Sequence, residues 1–201
     1  MHLLHIDASF QGERSVSRGL SARAAQRWRE VHSDGTVTYR DLAETPPPHL
    51  TGYAGTDLSH ELLDELKQAD TIVFGLPLYN FGAPSWVKAW VDHIIVPGVA
   101  FHAETREPFL TGKDFVVTAS RGGGYGAGTP REGWDHAEAW LPHGVGLTGL
   151  EPRFITAELT LAHSTPAMSE LIPLAHQSLA NAHAEIDALW VPVGLPRRIG
   201  A

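Results

Sequence analysis

Asp70-Thr71-Ile72-Val73-Phe74-Gly75-Leu76 is a continuous apolar, β-rich run broken only by one glycine. A strand with one face in water alternates polar with apolar residues. A run apolar at nearly every position marks a central parallel strand covered on both faces. Both neighbours of this run are helical in pattern. Upstream, Asp57–Gln68 carries Leu58, Leu62, Leu63 and Leu66 at helical spacing with acidic residues opposite. Downstream, Ser85–Ile95 carries Trp86, Val87, Trp90, Val91 and Ile94 on a wide apolar stripe.

Working outward, the same alternation repeats. Leu3–Ile6 reads as a buried strand, and Thr36–Tyr39 as a second one. Between them Ser17 offers an N-cap for a helix to about Glu30, with Leu20, Ala24 and Trp28 on one face. Pro46-Pro47-Pro48 forbids helix and predicts a surface excursion. Asp114–Ala119 is another buried strand, Glu132–Leu141 a helix, and Arg153–Ala157 a final strand. Thr165-Pro166 opens a last helix toward Leu189, where Pro173 requires a kink or a later start. The tail Val191–Ala201, with two prolines, reads as irregular. Strands that alternate with helices predict an α/β domain with a parallel sheet covered on both faces. Neither an internal repeat nor a linker divides residues 1–201, so a single domain is expected.

Composition narrows the function. A net charge of −8 with no run of Lys or Arg argues against nucleic acid or an anionic membrane as partner. The absence of cysteine excludes disulfides, thiolate metal sites and thiol catalysis. Met1–Asp7 has neither the basic start nor the long apolar stretch of a secretion signal. The longest apolar runs fall far short of the ~20 residues a membrane span needs. A soluble cytoplasmic protein is therefore expected.

In parallel α/β sheets ligands bind beyond the carboxyl ends of the strands, where the strand order reverses. Three such loops carry unusual chemistry. Ser9-Phe10-Gln11-Gly12-Glu13-Arg14-Ser15-Val16-Ser17 joins a strand to a helix N-terminus with three hydroxyls and a glycine. Free amides and the positive helix end there suit a phosphate, although a hydrophilic loop with a serine cap looks the same. Pro77-Leu78-Tyr79-Asn80-Phe81-Gly82-Ala83-Pro84 is an aromatic–amide–aromatic turn stiffened by prolines. It offers a planar heteroaromatic ligand flat apolar surface and an amide that donates and accepts. A hydrophobic turn closing the core is the plainer alternative. Ser120-Arg121-Gly122-Gly123-Gly124 lets backbone amides approach a ligand closely, or is simply a flexible surface loop.

These three stretches, in this order, resemble the FMN-dependent NADH azoreductases, a flavodoxin-like NAD(P)H:quinone reductase family. The resemblance includes Asp41-Leu42-Ala43, Val87-Lys88-Ala89-Trp90-Val91-Asp92, Pro97-Gly98-Val99-Ala100-Phe101 and Leu110-Thr111-Gly112-Lys113. It implies a flavodoxin-like three-layer sandwich with strand order 2-1-3-4-5, and a homodimer binding FMN non-covalently. Ser9, Ser15 and Ser17, with the amide of Val16, would hold the FMN phosphate. Leu78, Tyr79, Asn80 and Phe81 would wrap the isoalloxazine. Ser120, Arg121, Gly122 and Gly123 would meet its pyrimidine edge, with amides stabilising the negative charge of reduction. The implied activity is ping-pong transfer of two electrons from NADH or NADPH to a quinone, with cleavage of azo compounds. No side chain is expected to act as nucleophile. An FMN or chromate reductase using NADPH, a flavodoxin-like electron carrier and a flavin-free regulatory domain are the rival readings. The family often has methionine where Leu78 stands, and the stretch from Pro48 to Leu58 is shorter than in some relatives. Tyr125 falls on the expected substrate side.

Other patterns lead elsewhere. Gly144-Val145-Gly146-Leu147-Thr148-Gly149 matches a dinucleotide fingerprint but follows a helix instead of a strand, so it reads as a helix-ending turn. No metal site is expected from the twelve histidines: there is no HExxH, and His2 and His5 point to opposite faces of a strand. His176 and His183 stand about 10 Å apart along a helix. His93 and His102 are placed near the subunit interface without a role. Glu61, Asp64 and Glu65 read as a solvated helix face, and no GxSxG elbow surrounds any serine. Arg14 and Arg18 are expected to face solvent, with phosphate as the alternative.

Overall fold

The computed structural model describes residues 1–52 and 54–190; the tail expected to be irregular, 191–201, lies outside the described residues. Five parallel strands are ordered β2-β1-β3-β4-β5: β1 (His2–Asp7), β2 (Thr36–Asp41), β3 (Thr71–Pro77), β4 (Asp114–Ser120) and β5 (Pro152–Ala157). Every residue of β3 is buried, as a strand covered on both faces requires. Its neighbours are parallel on both sides, with Leu4 opposite Ile72 and Ile72 opposite Phe115.

Side-chain alternation divides the core into two layers. Leu3, Val73 and Val116 pack against α1 (Val16–Val31) and α5 (Ile172–Asp187) through Leu20, Ala24, Trp28, Ala182 and Ile186. Leu4, Ile6, Phe74 and Val117 turn the other way. They meet α2 (Asp57–Gln68), α3 (Ser85–Ile94) and α4 (His136–Val145) through Leu62, Leu66, Trp90 and Leu141. The sheet thus has helices on both faces, and the chain reverses direction across it between β1 and β3.

Helix starts differ from the expected ones where a better cap exists. Ser15, not Ser17, caps α1: its backbone is extended (φ −78°, ψ 123°) and its hydroxyl accepts from the Arg18 amide. Helix α4 begins at His136 and not at Glu132. Gly133 is left-handed (φ +77°), and the Asp135 carboxylate accepts from the amides of Ala137 and Glu138. Pro173 stands in the first turn of α5, where its missing donor costs nothing. A separate 3-10 segment, Pro166–Leu171, precedes it. The glycine pattern at 144–149 ends α4 through a 3-10 turn, with Gly149 at φ +86°. Among the described residues no helix is long and apolar enough to cross a membrane.

Candidate functional site

The tips of β1, β3 and β4 converge. Ser9 Oγ and the Tyr79 hydroxyl share a hydrogen bond of 2.8 Å, and the rings of Phe10 and Tyr79 lie 4.6 Å apart. Trp86 Nε1 donates to the Ala8 carbonyl at 2.8 Å, fixing α3 against the first loop. The Leu78 amide donates to the Ser120 carbonyl at 2.9 Å, which ties the second loop to the third. Between these tips lies a cavity of about 470 Å3, in the range of small-molecule and cofactor sites.

Of the candidate residues, Val16, Leu78, Tyr79, Ser120 and Gly122 line this cavity. Asn80, Phe81 and Gly123 line a smaller one of about 200 Å3 beside it. Ser9, Ser15 and Ser17 are buried behind the wall, and the Ser15 and Ser17 hydroxyls bond to each other at 3.1 Å. The amides of Val16 and Ser17 stand in the first turn of α1, where no intrahelical acceptor exists. Arg121 turns away from both cavities. Its guanidinium is held by Asp135 (2.6 Å), Glu158 (2.9 Å) and Glu138. Its amide donates to the Ala157 carbonyl (2.9 Å) and its carbonyl accepts from the Thr160 amide (3.0 Å), so neither side chain nor amide is left for a ligand.

The Tyr79–Gly82 turn is strained. Tyr79 and Gly82 exchange both backbone hydrogen bonds at 3.0 Å, and the two residues between them have positive φ, Asn80 +48° and Phe81 +67°. Asparagine tolerates this region, but an aromatic residue there carries about 1–3 kcal/mol of strain. The Phe81 ring is consequently presented outward, with Trp134 edge-on at 5.3 Å. We expect Phe81→Gly to change the unfolding free energy by less than about 1 kcal/mol, strain relief offsetting the lost ring contact. Phe81→Val, a β-branched residue forced to the same φ, should cost about 2 kcal/mol. Urea denaturation of both variants measures the difference.

Sequence reasoning missed two parts of the site. The loop after β5 supplies Thr160, Leu161 and Ser164 to the main cavity. It is pinned to the third loop by Leu159, Thr160 and Leu161 amides donating to the carbonyls of Gly123, Arg121 and Gly122. The rule that ligands sit beyond strand carboxyl ends applies equally to β5, which is the signal that was present. Phe10, Gln11 and Arg14 of the first loop also line the cavity.

The second part lies beneath the first loop. Arg18 faces neither solvent nor the cavity; its side chain is only 18% exposed. Its Nε donates to the Ser9 carbonyl (2.7 Å), and its terminal nitrogens reach Asp41 (2.6 Å) and the Tyr39 hydroxyl (2.9 Å). Asp7 lies 3.6 Å away and accepts from Ser21 (2.6 Å) and Tyr39 (3.1 Å). Burial pushes the Asp7 carboxyl above its ordinary pKa, against the pull of His5, Ser21, Arg18 and Tyr39. Burial likewise pushes His5 below its ordinary value, and its Nε2 finds no hydrogen-bond partner among the described residues. Gly75 is required above this cluster, because a Cβ there would lie 2.3 Å from Asp7 Oδ1.

Among the described residues no group of three or more His, Cys, Asp or Glu stands close enough to hold a metal ion. His93 is buried, bonded through Nε2 to the Pro48 carbonyl (2.9 Å) and through Nδ1 to Ser59 (3.1 Å). His102 sits edge-on to Phe109. Glu61 and Glu65 pair with Arg40, which keeps them on the outer face of α2.

A family model described as flavodoxin-like fold matches residues 1–181. A protein of Frankia casuarinae named FMN-dependent NADH:quinone oxidoreductase is 40% identical, over 91% of this chain and 95% of its own. One of Streptomyces coelicolor with the same name is 42% identical over 91% and 90%. Among solved structures, a FMN-dependent NADH-azoreductase from Bacillus anthracis in complex with FMN superposes with a TM-score of 0.70. It is 20% identical, covering 93% of this chain and 100% of that one, a likeness of fold.

Proposed function

The chain belongs to the flavodoxin-like fold family, beside relatives named FMN-dependent NADH:quinone oxidoreductase at 40% identity, and from that premise we propose how its site works. It is an FMN-dependent oxidoreductase that reduces quinones with NADH, with azo cleavage as the associated activity. The balance is NADH, a proton and a quinone to NAD+ and a hydroquinone. An azo bond consumes two NADH and two protons and yields two amines. Bound FMN supplies the two-electron step between donor and acceptor.

One observation carries the reading: in a chain of net charge −8, the cavity at the strand tips has no carboxylate in its wall. It offers instead a guanidinium (Arg14), hydroxyls (Tyr79, Ser120, Thr160, Ser164) and flat apolar surface. That donor set fits a phosphorylated ring system. The amides of Val16 and Ser17 and the positive end of α1 take the phosphate, with Arg14 in front and the buried serines setting the loop from behind. Leu78, Tyr79, Asn80 and Phe81 would hold the ring, and Ser120 with the main chain of Gly122 and Gly123 would meet its pyrimidine edge, while Arg121 braces that loop from behind. Donor and acceptor use the same open face in turn, which makes the kinetics ping-pong. The protein works as one domain and as a homodimer in the cytoplasm, where reduced nicotinamide is supplied.

Anaerobic titration of the FMN-loaded protein tests this. Stoichiometric NADH should bleach the oxidised flavin absorbance faster than NADPH, and menadione or methyl red should restore it. A protein that does not bleach with either nicotinamide is not this enzyme. Slow bleaching that needs a partner reductase marks an electron carrier instead.

A further inference from the structure

Beside the main cavity, the smaller one is lined by Asn80, Phe81, Gly123, Tyr125, Arg131 and Met168, among others. We propose that Arg131 selects electron acceptors that carry an anionic substituent: sulfonated or carboxylated aromatic quinones and azo compounds. The proposal rests on the flavin-dependent reading above and names the substrate class that the same site prefers.

The guanidinium of Arg131 lies 5.8 Å from the centroid of the Phe81 ring, a cation–π placement that fixes it without neutralising it. Arg131 forms no ion pair among the described residues. The contrast with Arg121 is sharp, since that guanidinium answers three carboxylates. No carboxylate lines the small cavity either, so its one formal charge is positive and uncompensated. An uncompensated cation beside aromatic faces attracts a flat ring bearing a sulfonate or carboxylate. Arginine meets such groups through paired N–H donors.

Position places the guanidinium at the open face that donor and acceptor share, and steady-state kinetics separate the two. Arg131 Nη1 is 3.4 Å from where a Gly123 Cβ would stand, and Tyr125 is 6.2 Å from Phe81, centroid to centroid. The cation therefore sits at the level of the aromatic turn, away from Gln11 and Arg14 in the main cavity. The small cavity, about 200 Å3, shares Leu78, Gly122 and Leu161 with the main one, so a ring seated in the main cavity can extend a substituent toward Arg131.

The test compares 1,4-naphthoquinone with its 2-sulfonate in steady-state NADH oxidation by the FMN-loaded protein. Arg131→Gln should lower the sulfonate-to-neutral ratio of kcat/KM by about three- to fivefold, through KM, as loss of one exposed charged pair implies. Arg131→Lys should keep most of the ratio, and added salt should shrink the difference between wild type and Arg131→Gln. An unchanged ratio overturns the proposal. So does a raised KM for NADH with the ratio intact, which would assign the guanidinium to the donor. Weakened FMN retention in Arg131→Gln would assign it to the cofactor and overturn the proposal too. Wild-type protein that reduces neither quinone would defeat the flavin-dependent reading along with it.

Discussion

Arg18→Ala raises the dissociation constant for FMN by about 10- to 100-fold and lowers folding stability by about 2–4 kcal/mol, although Arg18 lines neither of the two cavities described above. Its Nε holds the Ser9 carbonyl at 2.7 Å, so it fixes the loop whose far end presents the free amides of α1. Its other nitrogens bind Asp41 and Tyr39, residues of β2, at 2.6 and 2.9 Å. The loop is thus positioned against the sheet by one side chain. Without it Asp7, with a side chain 5% exposed, loses its nearest guanidinium and stays buried. Burial already holds the Asp7 carboxyl above its ordinary pKa, and Arg18 is among the groups pulling it down.

Removing Arg18 moves that pKa further up. The folded variant then binds more protons than the unfolded chain above the ordinary Asp value of about 4, so its stability falls as pH rises there. The deficit against wild type should accordingly narrow as pH falls toward 4. The double variant Arg18→Ala/Asp7→Asn, which removes the stranded charge, should regain about half of the lost stability but little of the FMN affinity. Urea unfolding across pH and flavin fluorescence titration give both quantities. Wild-type FMN affinity in Arg18→Ala would mean the loop holds its shape without the arginine.

Much of this site was legible, for local reasons. Helix α2 follows from leucine spacing alone, and a run apolar at nearly every position announces β3. The aromatic turn could be read because Tyr-Asn-Phe between prolines has few other uses. Arg18 could not be read. In the first turn of an amphipathic helix an arginine resembles any solvent-facing one, and its partners Asp7, Tyr39 and Asp41 come from two other strands. Ser17 is the α1 cap expected from the sequence, but Ser15 is an equally good cap in isolation and takes its place. The extended backbone at Ser15, set by the turn at Gly12–Arg14, decides between them. Thr160 and Leu161 have no distinctive chemistry; they belong to the site only because their amides bond to the neighbouring loop.

Arg121 is the opposite case: the sequence placed it in the site, and the structure gives its side chain another task. It lies just past β4, and its three partners come from the start of α4 and from the loop after β5. Asp135 caps α4, Glu138 lies in its first turn, and Glu158 follows β5 while accepting from the Tyr125 amide at 3.0 Å. The guanidinium therefore ties the glycine loop and the β5 loop, which both wall the cavity, to the start of α4. Arg121→Gln leaves three carboxylates facing one another with no cation between them. Removing one member of a buried ion pair costs roughly 3–5 kcal/mol; with Glu138 33% and Glu158 26% exposed, solvent screening reduces this to about 2–4 kcal/mol. The melting temperature of the FMN-free protein should fall by about 10 °C. Arg121→Lys should recover little of that, since one ammonium cannot reach three carboxylates that a planar fork reaches together. Adding salt should recover more for Arg121→Gln than for wild type, because the residual repulsion is screened. Calorimetry with and without FMN separates the two consequences: the fall in the FMN-free protein reports the lost clamp, and a smaller FMN-induced rise reports the loosened wall. A fall under 2 °C would mean the carboxylates reach solvent and need no cation.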